Sequence, residues 1–144
     1  MPFGSLMNRE TFQELAMIRL KESEALLKDG CWDGAYYLCG YAIECALKAC
    51  ISKKTKKHDF PPPRSTIEKY YTHNLKLLME SAGLDVPLKL DMKNDNDLEV
   101  NWYTIATWNE SSRYERHSDS EAKDLYLAVN DPNHGVLKWL KLHW

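Results

Sequence analysis

No stretch of the chain approaches the roughly 20 consecutive apolar residues that a membrane-spanning helix needs. The opening MPFGSLMNRE has neither the basic start nor the apolar run of a signal peptide. Charge of one sign is equally lacking. Nineteen Lys and Arg stand against 21 Asp and Glu, a formal net charge of -2, which excludes a general attraction to nucleic acid and leaves any basic surface local. There is no Gly-rich phosphate loop, no paired-carboxylate metal site and no nucleophile elbow, so neither a cofactor nor a metal is expected. The four cysteines, Cys31, Cys39, Cys45 and Cys50, form no C-x-x-C pair and have no histidine at zinc-finger spacing behind them. They read as small reduced core residues. The expectation from these absences is a soluble cytoplasmic protein without a membrane partner.

Strand alternation is scarce too, while helical periodicity fills every long segment. At 144 residues the chain fits one domain, 1–144, able to bury roughly 68–70% of its unfolded surface. Phe12, Leu15, Ala16, Leu20, Leu26 and Leu27 mark a first helix between an Asn8 N-cap and a stop at KDG. A second helix, from about Trp32 to Ser52, is apolar nearly all round, as suits the centre of a bundle. The basic run KKTKK and His58 follow it, suited either to the negative end of a helix dipole or to gripping phosphate, and Pro61 to Pro63 break the pattern. THNLKLLMESAG gives a short helix capped by Thr72 or Asn74, with His73 capping or packing at its start. DVPLKLDMKNDND reads as a loop with a weak strand signal. A further helix starts near Asp95 with Leu98, Trp102, Ile105 and Ala106 inward, and another runs through Ala122, Leu125, Tyr126 and Val129. Asp131 and Pro132 read as N-cap and first residue of a last helix. Trp102, Trp108, Trp139 and Trp144 read as core or interface aromatics. The fold expected is all-α, an antiparallel up-and-down bundle of four to five helices.

The second helix carries one polar line: Asp33, Tyr37, Glu44 and Lys48, with Gly40 and Tyr41 between them. Gly40 in mid-helix costs about 1 kcal/mol relative to alanine, so something should approach the backbone there. Glu44 and Lys48 form either an exposed i,i+4 pair worth about 0.2–0.5 kcal/mol or a partly buried group. In the second case Arg113 is the expected bidentate partner of Glu44.

NESSRYERHSDSEA collects Arg113, Tyr114, Arg116 and His117. If helical, it places Arg113 and His117 on one face. A metal-free ribonuclease needs a base for the ribose 2′-OH, and imidazole suits because its pKa lies near roughly 6.5. It also needs a cation for the phosphorane-like transition state, which Arg113 would supply while Arg116 grips a neighbouring phosphate. The alternative is that Ser118 or Asp119 caps the next helix, with Glu121 completing a capping box, and the arginines are surface residues.

ALLKDGCWDGAYYLCGYAIECALKACI resembles the second-helix signature of HEPN-domain proteins, with its G-Y-A-I-E-x-A-L-K core. THNLKLLMESAG is similar to their H-N/D-L-x-x-L helix, and SSRY and HGVLKWLKLHW resemble C-terminal parts of stand-alone bacterial members. The likeness runs from about Leu26 to Trp144. It implies a helical bundle, usually a homodimer, in a family whose members often pair with minimal nucleotidyltransferases in toxin–antitoxin modules. Active members are metal-independent endoribonucleases acting on RNA through Arg, four to six residues, then His. The catalytic pair implied here is Arg113 and His117, with Glu44, Tyr37, Tyr114 and Arg116 in support. Only three residues separate Arg113 from His117, one fewer than the motif has. The H-x-Y extension of some toxin members is absent, since Ser118 and Asp119 follow His117. The resemblance therefore also admits a catalytically inactive module that binds a nucleotidyltransferase, a nucleotide or nucleic acid.

Overall fold

The structure is a computed structural model, described over residues 8–58 and 71–144, with the side chains of residues 55–58 outside the description. Among the described residues it is all-helical: α1 (Arg9–Lys28), α2 (Trp32–His58), α3 (Leu75–Ser81), α4 (Asp85–Asn94), α5 (Asn96–Ala106), a 3-10 turn (Glu110–Tyr114), α6 (Asp119–Asn130) and α7 (Val136–Lys141). The triple proline lies outside the described residues.

Local chemistry sets the boundaries. Asn8 caps α1 by accepting from the Thr11 N–H at 2.8 Å. Gly30 and Gly83, both at φ 73°, end α1 and α3 in paired hydrogen bonds: Gly30 to Leu27 and Cys31 to Leu26, Gly83 to Glu80 and Leu84 to Met79. That arrangement favours a residue without a Cβ. Asn74 and Asp95 cap α3 and α5 through their side chains. Ser118 and Glu121 make the reciprocal capping box at the start of α6.

Helix α2 is the hub. It runs antiparallel to α1 across the short 29–31 turn and packs on α3, α6, α7 and the 3-10 turn. Ala35, Cys39, Ala42, Ile43, Ala46, Leu47 and Ala49 are buried along it, as the all-round apolar reading requires. Leu75, Leu78, Leu98, Trp102, Ile105, Leu125 and Val129 close the same core from α3, α5 and α6. Trp108 and Trp139 are buried as well, and Trp144 is packed against this core. No helix among the described residues is long and apolar enough to cross a membrane.

Four local expectations are corrected. DVPLKLDM is helix α4, because Pro87 falls in the first turn, where its missing N–H has no intrahelical partner to lose. The alternation there is only apparent. Leu88 and Met92 are buried, while Val86 and Leu90 are 59% and 55% exposed, a period of four. Helix α2 does not end near Ser52 but continues through the KKTKK run, since lysine is a good helix former and cations suit a helix C-terminus. Asp131 and Pro132 form a turn instead of opening α7. The Asp131 carboxylate accepts the N–H groups of Asn133 and His134 at 2.8 and 2.7 Å, and α7 begins at Val136. Finally, Cys31 is exposed, while Cys39, Cys45 and Cys50 are buried; all four are free. Burial pushes the thiols of Cys39, Cys45 and Cys50 up to about 12, so they are packing groups without thiolate reactivity.

Candidate functional site

The polar line of α2 is real, and each member has a distinct task. At its first turn, Asp33 reaches across 84 residues to the RYERH segment. Its Oδ1 accepts the His117 N–H at 2.6 Å and its Oδ2 accepts from Arg116 Nε at 2.8 Å. The His117 N–H holds the Asp33 carboxyl below the usual carboxylate range, with the Arg116 charge adding to it. One turn on, Tyr37 touches Tyr41 and Trp108, with ring centroids 5.9 and 5.8 Å away. Gly40 is where the backbone is approached: a Cβ there would overlap the Trp108 indole.

Glu44 is 1% exposed and Lys48 7%. Their i,i+4 contact at 3.1 Å is an interior ion pair, not a solvated edge. The basic partner that Glu44 draws from elsewhere is His73, not Arg113. His73 Nδ1 stands 2.9 Å from Glu44 Oε1, and its Nε2 stands 3.2 Å from Glu110 Oε2. Breaking the buried Glu44–Lys48 pair costs about 3–5 kcal/mol, so this cluster is fixed at its inner end. It ties α2, the entry to α3 and the 3-10 turn together. The E, K and H of the two signature stretches thus meet in one polar cluster, which sequence reading missed because 29 residues separate Glu44 from His73.

The RYERH segment is not one continuous helix. The 3-10 turn ends at Tyr114, and Glu115 is extended at φ -106° and ψ 156°. Arg113 and His117 therefore do not share a helix face. Arg113 is exposed and lies over the Tyr114 ring at 4.8 Å, while Tyr114 is 79% exposed. Arg116 is also at the surface, its side chain 93% exposed.

His117 faces the other way. Its side chain is 5% exposed and stacks on Tyr36 with centroids 3.7 Å apart and planes 15° apart. An aromatic contact of this kind contributes about 0.5–1.5 kcal/mol beyond burial. Nδ1 pairs with Glu121 Oε2 at 3.2 Å, and Nε2 is buried without a hydrogen-bond partner among the described residues. Glu121 accepts from both His117 and Ser118. The His117 contact, with Ser118 behind it, holds its carboxyl below the usual range. The capping box of α6 and the fixing of His117 are one device. A shallow cavity of about 210 Å³ beside it is lined by Trp32, Asp33, Arg116 and His117.

The segment thus splits into an outward half, Arg113, Tyr114 and Arg116, and an inward half, His117. Tyr36, Asp33, His73, Glu110 and Glu121 are the partners that spacing alone did not reveal. The HEPN domain family model matches residues 10–125, a span that takes in every side chain of both clusters. No curated protein and no solved structure matches the chain. With its two signature stretches joined at the Glu44 cluster inside a helical bundle, the chain belongs to the HEPN domain family.

Proposed function

We infer that this chain is a HEPN binding module whose exposed Arg113–Arg116 segment docks on a protein partner, and that Arg113 and His117 do not act as a catalytic pair. The observation that carries this reading is the burial of His117. A general base must come within about 2.6–3.2 Å of the proton it takes. The His117 ring is instead stacked on Tyr36, held by Glu121, and has its free nitrogen out of solvent.

The charge pattern favours a protein over a polyanion. Arg113 and Arg116 are interleaved with Glu110, Glu115, Asp119 and Glu121, a mixed surface suited to electrostatic matching with another mixed surface. Phosphate binding calls for clustered cations. Tyr114 and the arginines are of the residue types that dominate interface energetics. HEPN domains commonly dimerise, and the resemblance adds a nucleotidyltransferase as the expected heterologous partner.

The test is co-expression of the tagged chain with the genes flanking its own. The expected result is stoichiometric retention of a nucleotidyltransferase-like protein. The double substitution Arg113→Ala and Tyr114→Ala should weaken that retention more than tenfold, and RNA should stay intact. Capture of RNA alone, or RNA cleavage that needs His117, overturns the reading.

One observation favours a second reading, a metal-independent ribonuclease or toxin component. Glu121 fixes the His117 ring through Nδ1 in the manner of a carboxylate orienting a catalytic base. A second copy would then have to supply the cation and open the site.

A further inference from the structure

His73 is an imidazole with a carboxylate oxygen at each nitrogen, Glu44 Oε1 at 2.9 Å and Glu110 Oε2 at 3.2 Å. A neutral imidazole has one N–H and one lone pair, so it donates to only one of the two. The Glu44 contact is a hydrogen bond; the Glu110 contact is an ion-pair contact by distance, attractive only while the ring is an imidazolium with both nitrogens protonated.

The two carboxylates are not equivalent. Glu44 is sealed, its side chain 1% exposed, with Lys48 on its other oxygen. Glu110 is 51% exposed. When the imidazole gives up a proton, the outer contact is the one lost. Glu110 then finds water at once, whereas Glu44 would keep a less satisfied charge in the interior. Among the described residues, the charged groups around His73 are Glu44 and Lys48 on α2 and Glu110 on the 3-10 turn. Tyr41 of α2 lies within electrostatic reach of Glu44, with Arg19 of α1 over the Tyr41 ring.

Glu110 opens the turn Glu110–Tyr114, whose far end carries Arg113 and Tyr114. Trp108 and Ser112 are buried on either side of Glu110, so a released turn shifts locally without unfolding. We propose that His73 is the positioning residue of the docking segment. As imidazolium it clamps Glu110 to Glu44 and fixes the turn that presents Arg113 and Tyr114, and loss of its proton releases that turn. The proposal rests on the docking reading only for what the turn presents; the clamp is a property of the isolated chain.

The test uses the full chain, isotope-labelled, followed by NMR from about pH 5 to about pH 9, the range in which imidazoles titrate. The backbone amide signals of Ser111, Ser112, Arg113 and Tyr114 should shift with the same midpoint as the His73 ring. Glu110→Gln, which keeps an acceptor but removes the charge, should lose that coupled shift while the rest of the spectrum stays dispersed. His73→Gln should lose it too. If His73→Gln fails to fold, Glu110→Gln decides alone, because Glu110 is half exposed. Amides that stay fixed while the His73 ring titrates, or that shift equally in Glu110→Gln, overturn the proposal. With no partner in the sample, the outcome is independent of whether Arg113 and Tyr114 capture one.

Discussion

The indole of Trp108 lies directly on the backbone of Gly40, in the middle of α2, with no room for a Cβ between them. Trp108 is 2% exposed and stands two residues before the start of the 3-10 turn. This contact therefore seats the loop that carries Arg113 against the hub helix.

Gly40→Ala weighs two effects of opposite sign. Alanine gains about 1 kcal/mol of helix propensity over glycine, while overpacking a filled site costs about 1–3 kcal/mol. Because Cδ1, Cδ2 and Cε2 of the buried indole would each lie far inside van der Waals contact of the new Cβ, the clash should win. Net destabilisation is expected as a lower Tm in thermal unfolding. A raised Tm would show that Trp108 is not seated there.

Glu44→Ala removes the shared acceptor of Lys48 and His73 and leaves Lys48 as an uncompensated interior charge. The expected loss is about 3–5 kcal/mol of unfolding free energy, read from urea denaturation. A loss under about 1 kcal/mol, the value of an exposed pair, would mean that the cluster is solvated.

Ser118→Ala should cost about 0.5–2 kcal/mol, the usual range for an N-cap. Glu121→Gln tests the link between cap and site, since Glu121 serves both Ser118 and His117. It should alter the His117 ring signals in NMR, whereas Lys123→Ala, farther along α6, should leave them unchanged.

His134 ties the turn before α7 to the start of α5, with Nδ1 2.8 Å from Asp95 Oδ2. That hydrogen bond, aided by the charges of Asp95, Asp97 and Asp131, raises the imidazole above its ordinary 6.5. A raised pKa means that the folded state binds the proton more tightly. The stabilisation is therefore full below about 6.5 and is lost as pH rises through the raised value. The same contact lowers Asp95 below 3.8, so its share is present above that value and fades in acid. The stability difference between the wild type and His134→Ala should be largest in mildly acidic solution and should shrink as pH rises above 6.5. A difference that grows on the alkaline side would contradict the assignment.

Much of the fold was legible because it is written in short-range signals. Asn8, Gly30, Asn74, Gly83, Asp95 and Ser118 all mark helix ends as their chemistry dictates, and the apolar steps of α1 and α5 find the core. Helix α4 was not legible, because its four-residue period is masked by exposed Val86 and Leu90 and by a proline. The candidate site was half legible. A mid-helix glycine announces a close approach, whereas the Glu44 and Lys48 spacing fits an exposed pair as well as a buried one. The partners that answer them, Trp108, His73 and Glu110, are joined only through tertiary contacts across 29 residues or more. The placing of Arg113 and His117 on one face failed because it assumed helix continuity, which the extended Glu115 interrupts.

Whether His117 is a packed and oriented residue of a binding module is decided by incubating the purified wild-type chain and His117→Ala with single-stranded RNA in EDTA. Intact RNA is expected with both proteins. Cleavage by the wild type that disappears in a folded His117→Ala would contradict it.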